Sequence, residues 1–174
     1  MFSAKHEFSD EWHRFLHPTA EAKDQRLRLE VSPERFPFRF RGREIKVTDV
    51  DVFFLVNDER TVPSSGPPKT YRQAYAEGTP LKVLVTPAGG DPNVDEGKEV
   101  DLPPDAALND LAHGTKKYQR EEDQSGEDLG SWVLKVREAD IPTALRLPPN
   151  GSGNRHLNPD AIEDVLVLCR CSAK

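Results

Sequence analysis

Apolar and polar residues alternate with a period of two along several stretches of the chain, as in strands that bury one face. Leu27, Leu29 and Val31 fall on one side of the run from Arg26 to Val31, with Arg26, Arg28 and Glu30 on the other. The longest such stretch, Glu34 to Val56, sets Phe36, Phe38 and Phe40 against Arg39, Arg41 and Arg43, then Ile45 and Val47 against Glu44 and Lys46. Val50, Val52, Phe54 and Val56 continue it, with an outer face that turns apolar only at Phe53 and Leu55. The Ile45/Val47 and Val50/Val52 sets are out of phase by one residue, which predicts a bulge near Thr48. Pro37 and Gly42 predict a kinked edge segment leading into one long strand.

Further strands are predicted over Leu81 to Thr86 and Ser131 to Arg137, with a short edge strand over Thr115 to Gln119. The apolar run Val165 to Cys169 inside Asp164 to Ser172 reads as a central strand buried on both faces. Helical spacing is confined to short pieces. Trp12, Phe15 and Leu16 follow Ser9 as the expected cap and stop at Pro18, a turn or two is expected over Thr70 to Glu77, and Pro104 introduces a predicted helix over Asp105 to Ala112. Asn158 and Pro159 form a cap and first-turn pair. The expectation is an all-β fold, an antiparallel β-sandwich with a few short peripheral helices. It forms one domain over 1–174, with an N-terminal helix and connector over 1–25 and the sandwich over 26–174.

Composition sharpens this picture. Fifteen prolines and eleven glycines in 174 residues punctuate short elements and favour β-structure over a helical bundle. A formal charge of −6 disfavours a protein whose task is to neutralise phosphates, so no nucleic-acid partner is expected even though arginine and phenylalanine interleave at 35–43. No apolar run reaches bilayer-spanning length and the N-terminus lacks a signal core, so direct membrane insertion is not expected and the chain is placed in the cytoplasm as made. Cys169 and Cys171 point to one face of a strand and are expected to stay reduced.

Candidate chemistry is sparse. His13 and His17 have a zinc-compatible spacing without an acidic third ligand, and Asp91, Asn93, Asp95 and Gly97 resemble the start of a calcium loop. That loop has Glu96 at the glycine position and Leu102 at the bidentate glutamate position, so a solvated turn is the better reading. There is no nucleophile elbow and no phosphate-cradling glycine loop, so neither an enzyme nor a cofactor is expected. A hydrolase or metal enzyme would need a pocket with converging ionisable groups.

Five pieces in order, FSDEWHRFLHP, RLRLEVSPERFPFRFRGREIKVTDVDVFFLV, GTPLKVLVTPAGG, GSWVLKVREADIP and LNPDAIEDVLVLCRCS, resemble the C-terminal region of the A component of bacterial Tc (toxin complex) toxins. The resemblance implies a β-sandwich that docks the TcB-TcC cocoon, with a TcB-like protein as partner and virulence as the setting. It implies either an excised C-terminal domain or a free-standing relative, released from the cell as part of a toxin complex. It carries no catalytic residues. Edge strands and exposed aromatics are the physical means of docking, which nominates Phe36, Phe38, Arg39 and Arg41 as partner-binding residues. The alternative is a carbohydrate-binding sandwich, for which Trp12 and Trp132 would have to be exposed.

Overall fold

The computed structural model describes residues 1–36, 40, 42–63, 67–118, 126–148 and 153–173. It is an antiparallel sandwich of two sheets. β1 (Phe2–Ser3), β10 (Ile162–Ala173), β3 (Ile45–Val56), β7 (Leu111–Lys117) and β6 (Pro104–Asp105) form the larger sheet in that order, and β8 (Glu127–Asp128) also pairs with β3. The second sheet runs β2 (Asp24–Val31), β9 (Gly130–Arg137), β4 (Leu81–Thr86) and β5 (Glu99–Leu102). Among the described residues three short α-helices, α1 (Ala4–Glu7), α2 (Ser9–Leu16) and α3 (Tyr71–Ala76), lie around them.

Alternation decides the core. Val50, Val52, Phe54 and Val56 of β3 with Val165 and Val167 of β10 face Leu27, Leu29 and Val31 of β2, Trp132, Leu134 and Val136 of β9, and Val83 and Val85 of β4, in one buried cluster. The helices add to it. Phe15 of α2 sits edge-on to Phe54 at 6.4 Å, and the buried Gln25 amide donates to the Phe15 carbonyl at 2.7 Å while accepting from the Leu157 amide at 2.6 Å. Tyr75 of α3 bonds the Leu102 carbonyl and accepts from the Leu81 amide, which ties the helix to β4 and β5. Burial pushes its hydroxyl up to about 12.

The phase change in the long stretch is a bulge. Arg170 lies opposite Asp49, but Cys171 lies opposite Val47, so Thr48 is the extra residue and its hydroxyl donates to the Arg170 carbonyl at 3.2 Å. One residue later in the pairing, Ile45 and Val47 are again buried with the core.

Several expectations need correction. The one long strand is β3, starting at Ile45, and the chain turns before it at Gly42 (φ +78°), where the Arg43 amide bonds the Phe40 carbonyl; the start of the stretch is not extended, since a 3-10 turn occupies Pro33–Arg35, and Pro37 lies outside the described residues. Asp105 to Ala112 is not one helix: Asp105 caps a single 3-10 turn over Ala106–Leu108 by accepting from the Ala107 amide, and Asn109 and Asp110 then take left-handed conformations that no α-helix of L-residues continues. Leu111 onward joins β7, which also absorbs Thr115 to Lys117 beside β3. Phe8, not Ser9, caps α2, while Ser3 caps α1 by accepting from the His6 amide. β10 is closed on one face only, since Leu166 and Leu168 alternate out to partial exposure. The N-terminal 25 residues also supply strand β1 and the first residues of β2.

At one margin the chain passes from the second sheet to the first through Pro103, whose carbonyl accepts from the His113 amide at 3.1 Å. Gly114 lies there, inward on β7 against β5. Tyr118 closes the same region, donating to the Val85 carbonyl at 2.7 Å with its ring edge-on to Trp132 at 5.2 Å.

Candidate functional site

The outer face of the larger sheet is a grid set by strand register. Leu166 of β10, Phe53 of β3 and His113 of β7 form one row, Leu168, Asp51 and Thr115 the next, and Arg170, Asp49 and Lys117 the third. Leu55, opposite Asp164, extends the apolar part. Phe53, Leu55, Leu166 and Leu168 are each partly exposed, and the His113 ring stacks on Phe53 at 4.4 Å with 10° between planes.

Asp51 sits in the middle of this face and is only 1% exposed. A buried carboxylate needs donors. The Thr115 hydroxyl donates to one oxygen and Arg170 Nη2 to the other at 3.0 Å. Because that guanidinium stays largely exposed, the pair is open to solvent screening. His113 lies between two carboxylates, with Nε2 3.7 Å from Asp51 and Nδ1 3.5 Å from Asp105. Both separations exceed a hydrogen bond, and among the described residues the buried Nε2 has no hydrogen-bond partner.

This constellation is poorly arranged for chemistry. Thr115 gives its proton to Asp51, so no hydroxyl is poised against the imidazole as nucleophile against base. The two carboxylates face opposite ring nitrogens, so they do not converge with His113 on one cation. What the grid offers is a flat, half-apolar surface with a fixed charge pattern, the makings of a contact face.

Of the nominated residues, Phe36 is partly buried and packs against the core. Phe38, Arg39 and Arg41 lie outside the described residues. The arginine–phenylalanine chemistry of that stretch is met within the molecule at Arg35. Its guanidinium lies 4.4 Å from the Phe8 ring centroid and 5.7 Å from that of Phe2, and pairs with Glu7 at 2.9 Å. Asp51 and His113 escaped the reading of the sequence, although Phe53 and Leu55 on an outward face were a visible signal.

The metal candidates take other roles. His13 and His17 are exposed, with ring centroids 4.7 Å apart, and among the described residues no group of three or more histidine, cysteine or acidic side chains could hold an ion. In the calcium-like loop Asp91 accepts from the Asn93 amide at 2.8 Å, and Asp95 accepts from Lys135 and from Arg137 at 3.2 Å. The hydrogen bond from Lys135, reinforced by Arg137, holds the Asp95 carboxyl below its ordinary value of 3.8. The loop thus pins an otherwise buried ammonium to the outer face of the second sheet, and its Asp95 oxygens are already engaged by cationic donors.

Trp12 and Trp132 are both buried, at 8% and 3% exposure. Among the described residues no helix is long and apolar enough to cross a membrane. No family model, curated protein or solved structure matches the chain.

Proposed function

We propose that this chain is a non-enzymatic docking module, of the kind that ends the A component of a toxin complex, and that its partner is a TcB-like protein. The observation that carries the reading is the outer face of the larger sheet, where Phe53, Leu55, Leu166 and Leu168 remain partly exposed around a fixed Asp51–Arg170 pair. Apolar anchors set beside a charged pair let an interface combine affinity with register. The ordered resemblance of five sequence segments names the partner class. A glycan-binding reading gains less support, because neither tryptophan is available to stack on a sugar ring.

The experiment is a titration of the purified chain against a purified TcB-TcC cocoon by biolayer interferometry. Saturable binding is expected, weakened by about tenfold or more in Phe53→Ala and Leu168→Ala, equivalent to roughly 1.4 kcal/mol each. Thermal midpoints should fall little, since neither side chain is fully buried. Absence of binding to the cocoon, with saturable binding to an immobilised glycan array, would move the function to carbohydrate recognition.

A further inference from the structure

At one end of the sandwich two short segments run antiparallel. The Leu147 amide donates to the His156 carbonyl and the Asn158 amide to the Leu145 carbonyl, both at 2.8 Å, with Arg146 opposite Leu157. Leu145 and Leu157 are fully buried and anchor the pair. Arg155 stands two residues before Leu157 and so shares a face with Arg146.

Two concavities meet along this face, of about 400 and 460 Å³, and both are lined by Arg146 and Arg155. Among the described residues the first is otherwise apolar or neutral, with Val62, Pro63, Leu147 and Pro148 as its walls and no acidic residue in its lining. The second carries Lys23, Asp24, Arg137 and Glu138. Two of those charges are already engaged: Arg137 pairs with Asp140, Asp95 and Glu99, and Glu138 accepts from the Arg155 amide at 3.0 Å. The guanidiniums at the junction differ. Arg146 is held by the Ile141 carbonyl through Nε and Nη2, which fixes the plane of the fork, and among the described residues Nη1 has no partner. Arg155 is exposed, and its guanidinium makes no hydrogen bond or ion pair among the described residues.

We propose that this groove takes an extended peptide segment in which an apolar residue lies beside an acidic one. The apolar residue occupies the concavity walled by Val62, Pro63, Leu147 and Pro148, and the carboxylate sits between Arg146 and Arg155. A single small acid would use only the junction, whereas an extended chain covers both concavities. Charge singles out this groove, because the chain as a whole carries −6 and the remaining surface repels an acidic peptide. The groove shares no residue with the sheet face and does not depend on the docking reading.

The probe is a fluorescein-labelled peptide of alternating leucine and aspartate, read by anisotropy, with a leucine–lysine peptide as its opposite. Saturable binding of the acidic peptide alone is expected, weakening as salt is raised. Arg155→Glu is expected to weaken it by about tenfold or more, and Lys23→Glu by less. An unchanged circular dichroism melt for Arg155→Glu distinguishes lost recognition from lost fold. Equal binding of the basic peptide, or indifference to Arg155→Glu, overturns the proposal. Succinate that displaces the peptide at equal concentration overturns the peptide as occupant and leaves the junction to a free small acid.

Discussion

Replacing Gly114 by alanine tests how the two sheets meet. A Cβ built at Gly114 falls 2.3 Å from the Asp101 carbonyl oxygen, 2.7 Å from Val100 Cγ1 and 2.9 Å from Leu102 Cδ2. Carbon–oxygen contacts settle near roughly 3.3 Å, so the first distance is short by about 1 Å. The obstacle is backbone of β5, which no rotamer change relieves. β5 must move away from β7 or β7 must lift off β3, and either opens the packing around Val100 and Leu102, both buried. Overpacking of this kind costs about 1–3 kcal/mol. For a domain of this size each kcal/mol lowers the thermal midpoint by about 2–4 °C, so a fall of roughly 4–8 °C is expected for a loss of about 2 kcal/mol. Gly78→Ala is the control, since its nearest neighbours, the Ala74 and Tyr75 carbonyl oxygens, stand at 3.4 and 3.6 Å. Its stability should change by no more than about 0.5 kcal/mol. Urea denaturation and thermal melts of both variants give the comparison. If Gly114→Ala melts with the parent, β5 and β7 do not approach each other as described and the closed margin of the sandwich is wrong.

Two further outcomes follow from the ionisable groups. Asp95 is held below 3.8 chiefly by the Lys135 hydrogen bond, and Glu99 below its ordinary 4.5 chiefly by the Arg137 hydrogen bond. Depressed folded-state values mean that the stability these carboxylates contribute is complete above the unfolded values and disappears as pH falls through the folded ones. The thermal midpoint of the parent should therefore drop more steeply than that of Asp95→Asn once the pH passes below about 3.8; parallel curves would show that the Asp95–Lys135 contact does not form in solution. Burial pushes the Cys169 thiol up to about 12 and raises that of Cys171 as well. Because the thiolate is the nucleophile, iodoacetamide at mildly alkaline pH should modify Cys169 at least about tenfold more slowly in the folded chain than in urea, with Cys171 reacting first. Free-thiol rates at both positions would refute the packing of β10 at its end.

The strands were legible where one face is wet. Arg26 to Val31 appears with Leu27, Leu29 and Val31 buried and Arg26, Arg28 and Glu30 exposed, and the one-residue phase change located the Thr48 bulge, because side-chain period two leaves no other way to keep Val47 and Val50 both inside. Legibility failed where backbone conformation cut an element short. Pro104 followed by alanines and a leucine favours a helix, and Asp105 does cap one 3-10 turn by accepting from the Ala107 amide, but the left-handed Asn109 and Asp110 end it and turn the chain into β7. It failed again where meaning depends on a distant strand. Nothing local marks Asp51 as buried; its burial follows from Leu168 and Thr115 flanking it across register, from sequence positions far on either side.

The candidate face was half visible for the same reason. Alternation placed Phe53 and Leu55 outward, but alternation in one strand cannot say which neighbours complete a patch. Only pairing with β10 brings Leu166 and Leu168 alongside, and only pairing with β7 lays His113 over Phe53. The reading of β10 as buried on both faces failed on this point, because a continuous apolar run is equally the sequence of a strand whose outer residues meet another apolar row at partial exposure. The nominated Phe36 shows the converse. An aromatic in an arginine-rich, proline-kinked stretch has the composition of a docking edge, yet here it packs on the core while the neighbouring Arg35 covers Phe2 and Phe8. A contact face therefore has to be sought across strands, in rows perpendicular to the chain, and the row of Leu166, Phe53 and His113 is the one this fold leaves partly exposed beside a fixed charge.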